Sequence, residues 1–512
     1  MRLHVYTMAA VAVLPTVCDA QDTGVPMGAA VEEAVNSITP EDILRRIGIM
    51  AHDSMRGRET PSPELDKVAE WIGTQFREMG LRPGGDNGSY LQRYPIQTRQ
   101  MDTAESGIRL PDGTTWRLGM QVAWFTGETP TAGVRGQGLI LMGRPEGPDD
   151  FSAVDMNGRI VLWILPETAS GDPDFGLVNR TLGTIRAANP AGVVLVTTRP
   201  DRNMGQLLAR TNRVNTRTGW SADDPASPLL EVTDQTASRF LSGHGVDARA
   251  SRGQPFSTRA LDADVGVTVV FRVLEDATGP NTVGILEGSD PELKDQYVVF
   301  SAHMDHVGIC QPNTEDPICN GADDNASGTA GIIEAAEAFA MLEPRPRRSM
   351  IFVAVSGEEK GLWGSDYFAQ HPPVDVDQMV ANLNADMIGR NWPDTIVVIG
   401  KEHSDLGATL NEVNVAHPEL DMIAIDDIWP EERFYFRSDH FNFARRGIPV
   451  LFFFNGTHED YHQPGDHVED IDAEKESRIV KLMFYLGLEV ANRTERPQWN
   501  PESYENIVGS TR

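Results

Sequence analysis

Three apolar runs of strand length each stop at a residue able to hold a cation, and this pattern limits the fold more than any other feature. Tyr297 to Ala302 stops at His303, Ser349 to Val355 runs into Gly357-Glu358-Glu359, and Met379 to Asn384 stops at Asp386. Short continuous apolar runs fit strands covered on both faces. Gly328 to Leu342 reads as a helix, and Asp472 to Arg493 as a closing helix. Thr395 to Ile399 and Ile448 to Phe454 read as further strands. Alternation of this kind predicts an α/β sandwich with a mostly parallel central sheet. Ligands in such folds bind beyond the C-terminal strand ends, and His303, Glu358, Glu359 and Asp386 all fall there.

The rest of the chain is organised around that unit. Residues 21–38 read as a mobile leader. Thr39-Pro40-Glu41-Asp42 is a helix start, and Leu65 to Met79 repeats apolar residues at helical spacing until Gly80. Met55-Arg56-Gly57-Arg58 reads as a turn between the two helices. From 115 to 261 short β-rich runs (Gly138 to Met142, Ile160 to Leu165, Gly192 to Thr197) are separated by Gly, Pro and Asp. These read as a mainly β insertion, leaving 38–114 and 262–496 as the domain that carries the chemistry.

Charge narrows the partners. Lys and Arg total 44 against 75 Asp and Glu in 512 residues, a net charge of −31. Nucleic acid and anionic membrane surfaces both want a basic face, so both are disfavoured. No segment reaches the roughly 20 apolar residues of a membrane span. Met1 to Ala20 resembles a secretory signal: Arg2, an apolar stretch, then small residues at Cys18 and Ala20. The expected location is secreted or periplasmic. In that oxidising setting Cys310 and Cys319 are candidates to close a small loop, with a pair of free thiols as the alternative.

The ionisable residues form a recognisable set. His303 and Asp305 point the same way on an extended segment, with His303 on a metal and Asp305 behind it as the acceptor that orients the ring. Asn320-Gly-Ala-Asp-Asp-Asn-Ala-Ser-Gly328 opens a helix. Either of its aspartates could merely cap that helix, but Asp324, next to Asn325, is favoured as a carboxylate bridging two cations. Glu358 and Glu359 are adjacent and diverge, so one can ligate while the other stays free as general base. Asp386 and His462 complete the ligands, and Tyr461 could donate a hydrogen bond to an oxyanion. Two imidazoles, two aspartates and two glutamates are a ligand set for two zinc ions with one carboxylate to spare, which points to hydrolysis by water.

These blocks, in this order, resemble the co-catalytic zinc peptidases of family 28. So do Arg56-Gly-Arg58 through Gly80-Leu-Arg-Pro83 and Tyr90-Leu-Gln92. Val154 to Val161 and Ala187 to Val194 resemble the protease-associated domain often inserted in that family. The resemblance implies two zinc ions per chain. One would take His303 and Asp386, the other Glu359 and His462, with Asp324 between them and Glu358 as base. It implies peptide substrates and an aminopeptidase. Rivals are a carboxypeptidase or dipeptidase, which would need a cation such as Arg437 or Arg390 for the substrate carboxylate. A single-zinc glutaminyl cyclase and a non-catalytic receptor-like protein are further rivals, and both are disfavoured by the complete ligand set.

Overall fold

The computed structural model describes residues 27–129, 132–199, 201–218 and 227–509. The leader expected over Met1 to Ala20 lies outside the described residues. Helix α1 (Met27–Asn36) occupies part of the stretch expected to be mobile. Ala34 and Val35 are buried and Val31 packs on the same core, so a short apolar face is enough to dock it. Helix α2 (Pro40–Met50) is capped by Thr39, whose hydroxyl accepts a bond from the Asp42 amide. Helix α3 (Pro63–Glu78) is capped in the same way by Ser62. Satisfying an orphan amide at a helix start is worth about 1 kcal/mol.

The main sheet has ten strands. Its core comprises β1 (Leu91–Met101), β2 (Phe271–Leu286), β3 (Tyr297–His303), β4 (Ser349–Val355), β5 (Met379–Ala385) and β6 (Val450–Phe454). They lie in the order β6-β5-β3-β4-β2-β1, with Thr395–Ile399 and Ile423–Ile425 continuing beyond β6. The pairings among β6, β5, β3 and β4 are parallel, while β2 runs antiparallel to both β4 and β1. Helix α4 (Gly328–Met341) joins β3 to β4, and α5 (Ala473–Asn492) packs against it, followed by a short helix at Pro501–Ile507.

The pattern of burial explains the continuous apolar runs. Val298, Phe300 and Ala302 of β3 enter one core with Phe339 of α4 and Phe484 of α5. Tyr297 and Val299 enter the opposite core with Phe368 and Phe452. Alternate side chains serve two cores, so both faces are largely apolar. Removing a ring such as Phe300 would cost about 3–5 kcal/mol.

A second, eight-stranded sheet is built between Gly107 and Thr268. Its pairings Gly138–Leu141 with Ile160–Trp163, Ile160–Ile164 with Gly192–Val196, and Val193–Thr197 with Leu229–Thr233 are parallel. Parallel neighbours need crossovers, and helix Phe175–Ala187 makes the one between Ile160–Ile164 and Gly192–Thr197. One strand of this segment, Val214–Thr218, leaves it and pairs with β1 at the edge of the main sheet. No helix among the described residues is long and apolar enough to cross a membrane.

Candidate metal centre

Parallel pairing brings the ends of β3, β4 and β5 together. His303 sits opposite Val355 in register, so Glu358 and Glu359 emerge just past the same level. Asp386 follows β5 directly, and the loop after β6 returns Tyr461 and His462 over these ends.

Two donor groups result, and they share one residue. His303 Nε2 lies 3.3 Å from Asp386 Oδ1 and 3.4 Å from Asp324 Oδ1. His462 Nε2 lies 3.1 Å from Glu359 Oε2 and 3.2 Å from Asp324 Oδ2. Asp324 therefore turns one oxygen to each histidine. Donors about 2.0–2.2 Å from a tetrahedral zinc stand roughly 3.3–3.5 Å apart. The observed spacings, 3.1–3.4 Å, lie at or just under that edge length. His462 Nε2 is buried without an aligned hydrogen bond despite two carboxylates within reach, as expected of a lone pair directed at a cation. The residues present fit a dinuclear metal centre.

Each donor is held from behind. Asp386 Oδ2 accepts from Ser438 Oγ at 2.8 Å, and Ser438 in turn is bonded by Asn384 Nδ2. Asn384 accepts from Ser301, which accepts from Asn382, so a buried polar chain fixes the carboxylate. Ser438 thus supplies polar support directly behind a donor. For the His303 ring the nearest partner of Nδ1 is the backbone carbonyl of Asp305 at 3.2 Å. The Asp305 carboxylate is further away, at 3.7 Å. Its oxygens instead accept from Thr60 Oγ1 (2.8 Å) and from the Gly357 and Glu358 amides (2.7 and 3.4 Å). Asp305 thus clamps the glutamate turn. Gly357 takes φ of 72° there, and a Cβ would meet the Tyr94 hydroxyl at 2.6 Å.

Glu358 differs from its neighbour. Its carboxylate joins no hydrogen bond or ion pair among the described residues, and it lines the cleft with His303, Asp386 and Tyr461. Burial pushes its pKa well above the ordinary carboxylate range, against the pull of His303. Burial also pushes Glu359 upward, but the His306 hydrogen bond and the nearby His462 ring outweigh it and hold that carboxylate far below the usual range. One glutamate is poised to take a proton and the other to stay charged. The Tyr461 hydroxyl is pushed up by burial, which keeps it a donor. Its ring stacks on His462 at 3.9 Å.

Sequence reasoning missed three residues. His306 is fully buried, and its Nδ1 sits 2.8 Å from Glu359 Oε1 and 3.7 Å from Asp324 Oδ2. It belongs to the His462 donor group, and its place in His303-Met-Asp-His306 was the available signal. Arg58 is fully buried and donates to the carbonyls of Met304 (2.7 Å), Gly321 (2.6 Å), Asn320, Met50 and Asp324. It ties the His303 loop to the Asp324 loop. Burial lowers its pKa to about 10, so it stays charged at neutral pH. Gly57 before it has φ of 68°, and a Cβ there would lie 2.4 Å from the Cys319 carbonyl oxygen. Asp466 accepts from the Asp323 and Asp324 amides at 2.9 and 3.0 Å, presenting the shared carboxylate. Cys310 and Cys319 are bonded and close the loop beside this segment.

Residues 281–487 match Peptidase family M28. A "Probable leucine aminopeptidase" of Arthroderma benhamiae is 27% identical over 292 residues, 52% of this chain and 76% of that one. "Aminopeptidase YwaD" of Bacillus subtilis is 26% identical over 267 residues, 50% of this chain and 55% of that one. An aminopeptidase from Aneurinibacillus sp. strain AM-1 superposes with a TM-score of 0.47 at 18% identity, covering 92% of this chain and 98% of that one. All the donors of both groups fall within residues 281–487, the region that matches peptidase family M28, and the chain is a zinc metallopeptidase similar to the members of that family.

Proposed function

We propose that the chain is a di-zinc aminopeptidase that removes N-terminal residues from peptides. One observation carries the reading: two donor groups share Asp324, and Glu358 stands beside them uncommitted. His303, Asp386 and Asp324 Oδ1 would hold one zinc; His462, Glu359 and Asp324 Oδ2 would hold the other. Zinc bound there supplies a Lewis acid for the scissile carbonyl and lowers the pKa of a water.

The chain's own residues do the rest. Glu358 takes the proton of the attacking water on a carboxylate oxygen and returns it to the departing amine nitrogen. Its desolvated surroundings favour this shuttle, because they raise its affinity for the proton in transit. Tyr461 donates from its hydroxyl to the oxygen that gains charge. The clamp of Asp305 on the Gly357–Glu358 backbone fixes where the base points. Export is proposed as well, on the signal-like Met1 to Ala20 and on the Cys310–Cys319 bond, which suits an oxidising compartment.

Metal analysis of the purified chain should give two zinc ions. Leucine p-nitroanilide should release p-nitroaniline, and its N-acetyl derivative should not. Equal cleavage of the blocked substrate would overturn the aminopeptidase assignment.

A further inference from the structure

We propose that Arg437 binds a carboxylate of the substrate, an inference that rests on the peptidase reading above. Arg437 lines the cleft that holds His303, Glu358 and Asp386, and it also lines the adjoining cavity that reaches Trp429 and Glu432. It therefore stands where the two meet. It is the single Lys or Arg among the residues lining either cavity.

The side chain is placed but not consumed. Its guanidinium lies over the Phe434 ring, 4.7 Å from the centroid, and Phe434 is wedged against Phe454 and Trp429. Stacking on that aromatic pile orients the planar fork without using its donors. The ion partner is Glu432, at 3.6 Å, and both side chains are about half exposed (49% and 62%). A pair so solvated holds weakly and is easily exchanged for another carboxylate. The other arginine considered from sequence is already committed: Arg390 donates to Asp460 at 2.8 Å and contacts His458.

The other ionisable residues lining the two cavities are His303, Tyr461 and the carboxylates Asp324, Glu358, Asp386 and Glu432, so a substrate carboxylate that enters beyond the metal donors meets its side-chain cation at Arg437. The reach is also right. Ser438, the next residue, bonds Asp386 at 2.8 Å, so the Arg437 backbone adjoins the residue that holds a metal donor. A single residue after the scissile bond spans only about 3.3–3.6 Å. The carboxylate could belong to the C-terminus of a short peptide or to an acidic side chain.

The test is binding, measured by calorimetry on the full-length metal-loaded Glu358→Gln chain, with and without Arg437→Ala. The ligand pairs are Leu-Gly with Leu-Gly amide, and Glu-Gly amide with Gln-Gly amide. Arg437→Ala should weaken the acid relative to its amide by about 10- to 100-fold, the range for hydrogen bonds to a charged group. Arg437→Lys should recover part of the loss, since charge returns without the fork. An effect in the first pair identifies the peptide terminus, and in the second pair an acidic side chain. Unchanged acid-to-amide ratios in both pairs would overturn the proposal. Turnover of leucine p-nitroanilide by the parent chain tests the peptidase reading separately, so either can fail alone.

Discussion

Removing the imidazole of His306 should weaken one metal position and spare the other. His306 Nδ1 bonds Glu359 Oε1 at 2.8 Å, leaving Oε2 as the oxygen that faces His462. Losing a group that orients a ligand typically lowers metal affinity about 10- to 100-fold, or roughly 1.4–2.7 kcal/mol. The sign also follows from protonation. The His306 hydrogen bond and the nearby His462 ring hold Glu359 below its ordinary pKa against burial, so without His306 a proton competes with metal at a higher pH. His303 and Asp386 are held by the Asp305 carbonyl and by Ser438 instead, and their affinity should stay within twofold of the parent. His306→Phe is the better variant, because it keeps a ring in a fully buried slot packed near His462. Zinc titration of the metal-stripped chain by calorimetry should resolve one weakened and one unchanged class of site. Equal weakening of both, or of neither, would refute the positioning argument.

Further outcomes are expected. Glu358→Gln should retain both metals, since its carboxylate belongs to neither donor group, yet lose about 10²–10⁴ in turnover; parental rates with metal bound would remove it as the base. Arg58→Met should strand several buried carbonyls and cost about 3 kcal/mol or more in urea unfolding; a loss below 0.5 kcal/mol would show that water replaces the guanidinium freely. Asp439 is pushed up to about 7 by burial, and its charge helps to raise Glu358. Asp439→Asn should therefore lower the pKa of Glu358. Since the base works deprotonated and activity falls as pH drops through that pKa, the acid limb of kcat/KM should move to lower pH. Chelation should lower the melting temperature, because the largely inaccessible carboxylates of Asp324, Glu359 and Asp386 then face one another without a cation; an unchanged melt would argue against bound metal as a structural element.

Part of this molecule is readable from composition along the chain alone. The strand ends at His303, Ala385 and Val355 were legible because strands buried on both faces are largely apolar, and a histidine or acid ending such a run is conspicuous. The helix starts at Pro40 and Pro63 were legible because capping residues act locally. Tertiary structure alone decided the rest. His306 meets Glu359, and Arg58 meets two loops more than 240 residues away, because parallel pairing draws distant strand ends to one level. Val214–Thr218 joins the main sheet from within the insertion for a similar reason: an edge strand takes whatever partner folding brings to it. Helix α1 is only ten residues long, too short to be stable by itself, and its burial depends on a surface that exists only once α4 is in place. Local pattern sets what each segment can become; which side chains share a cavity depends on contacts that no local pattern encodes.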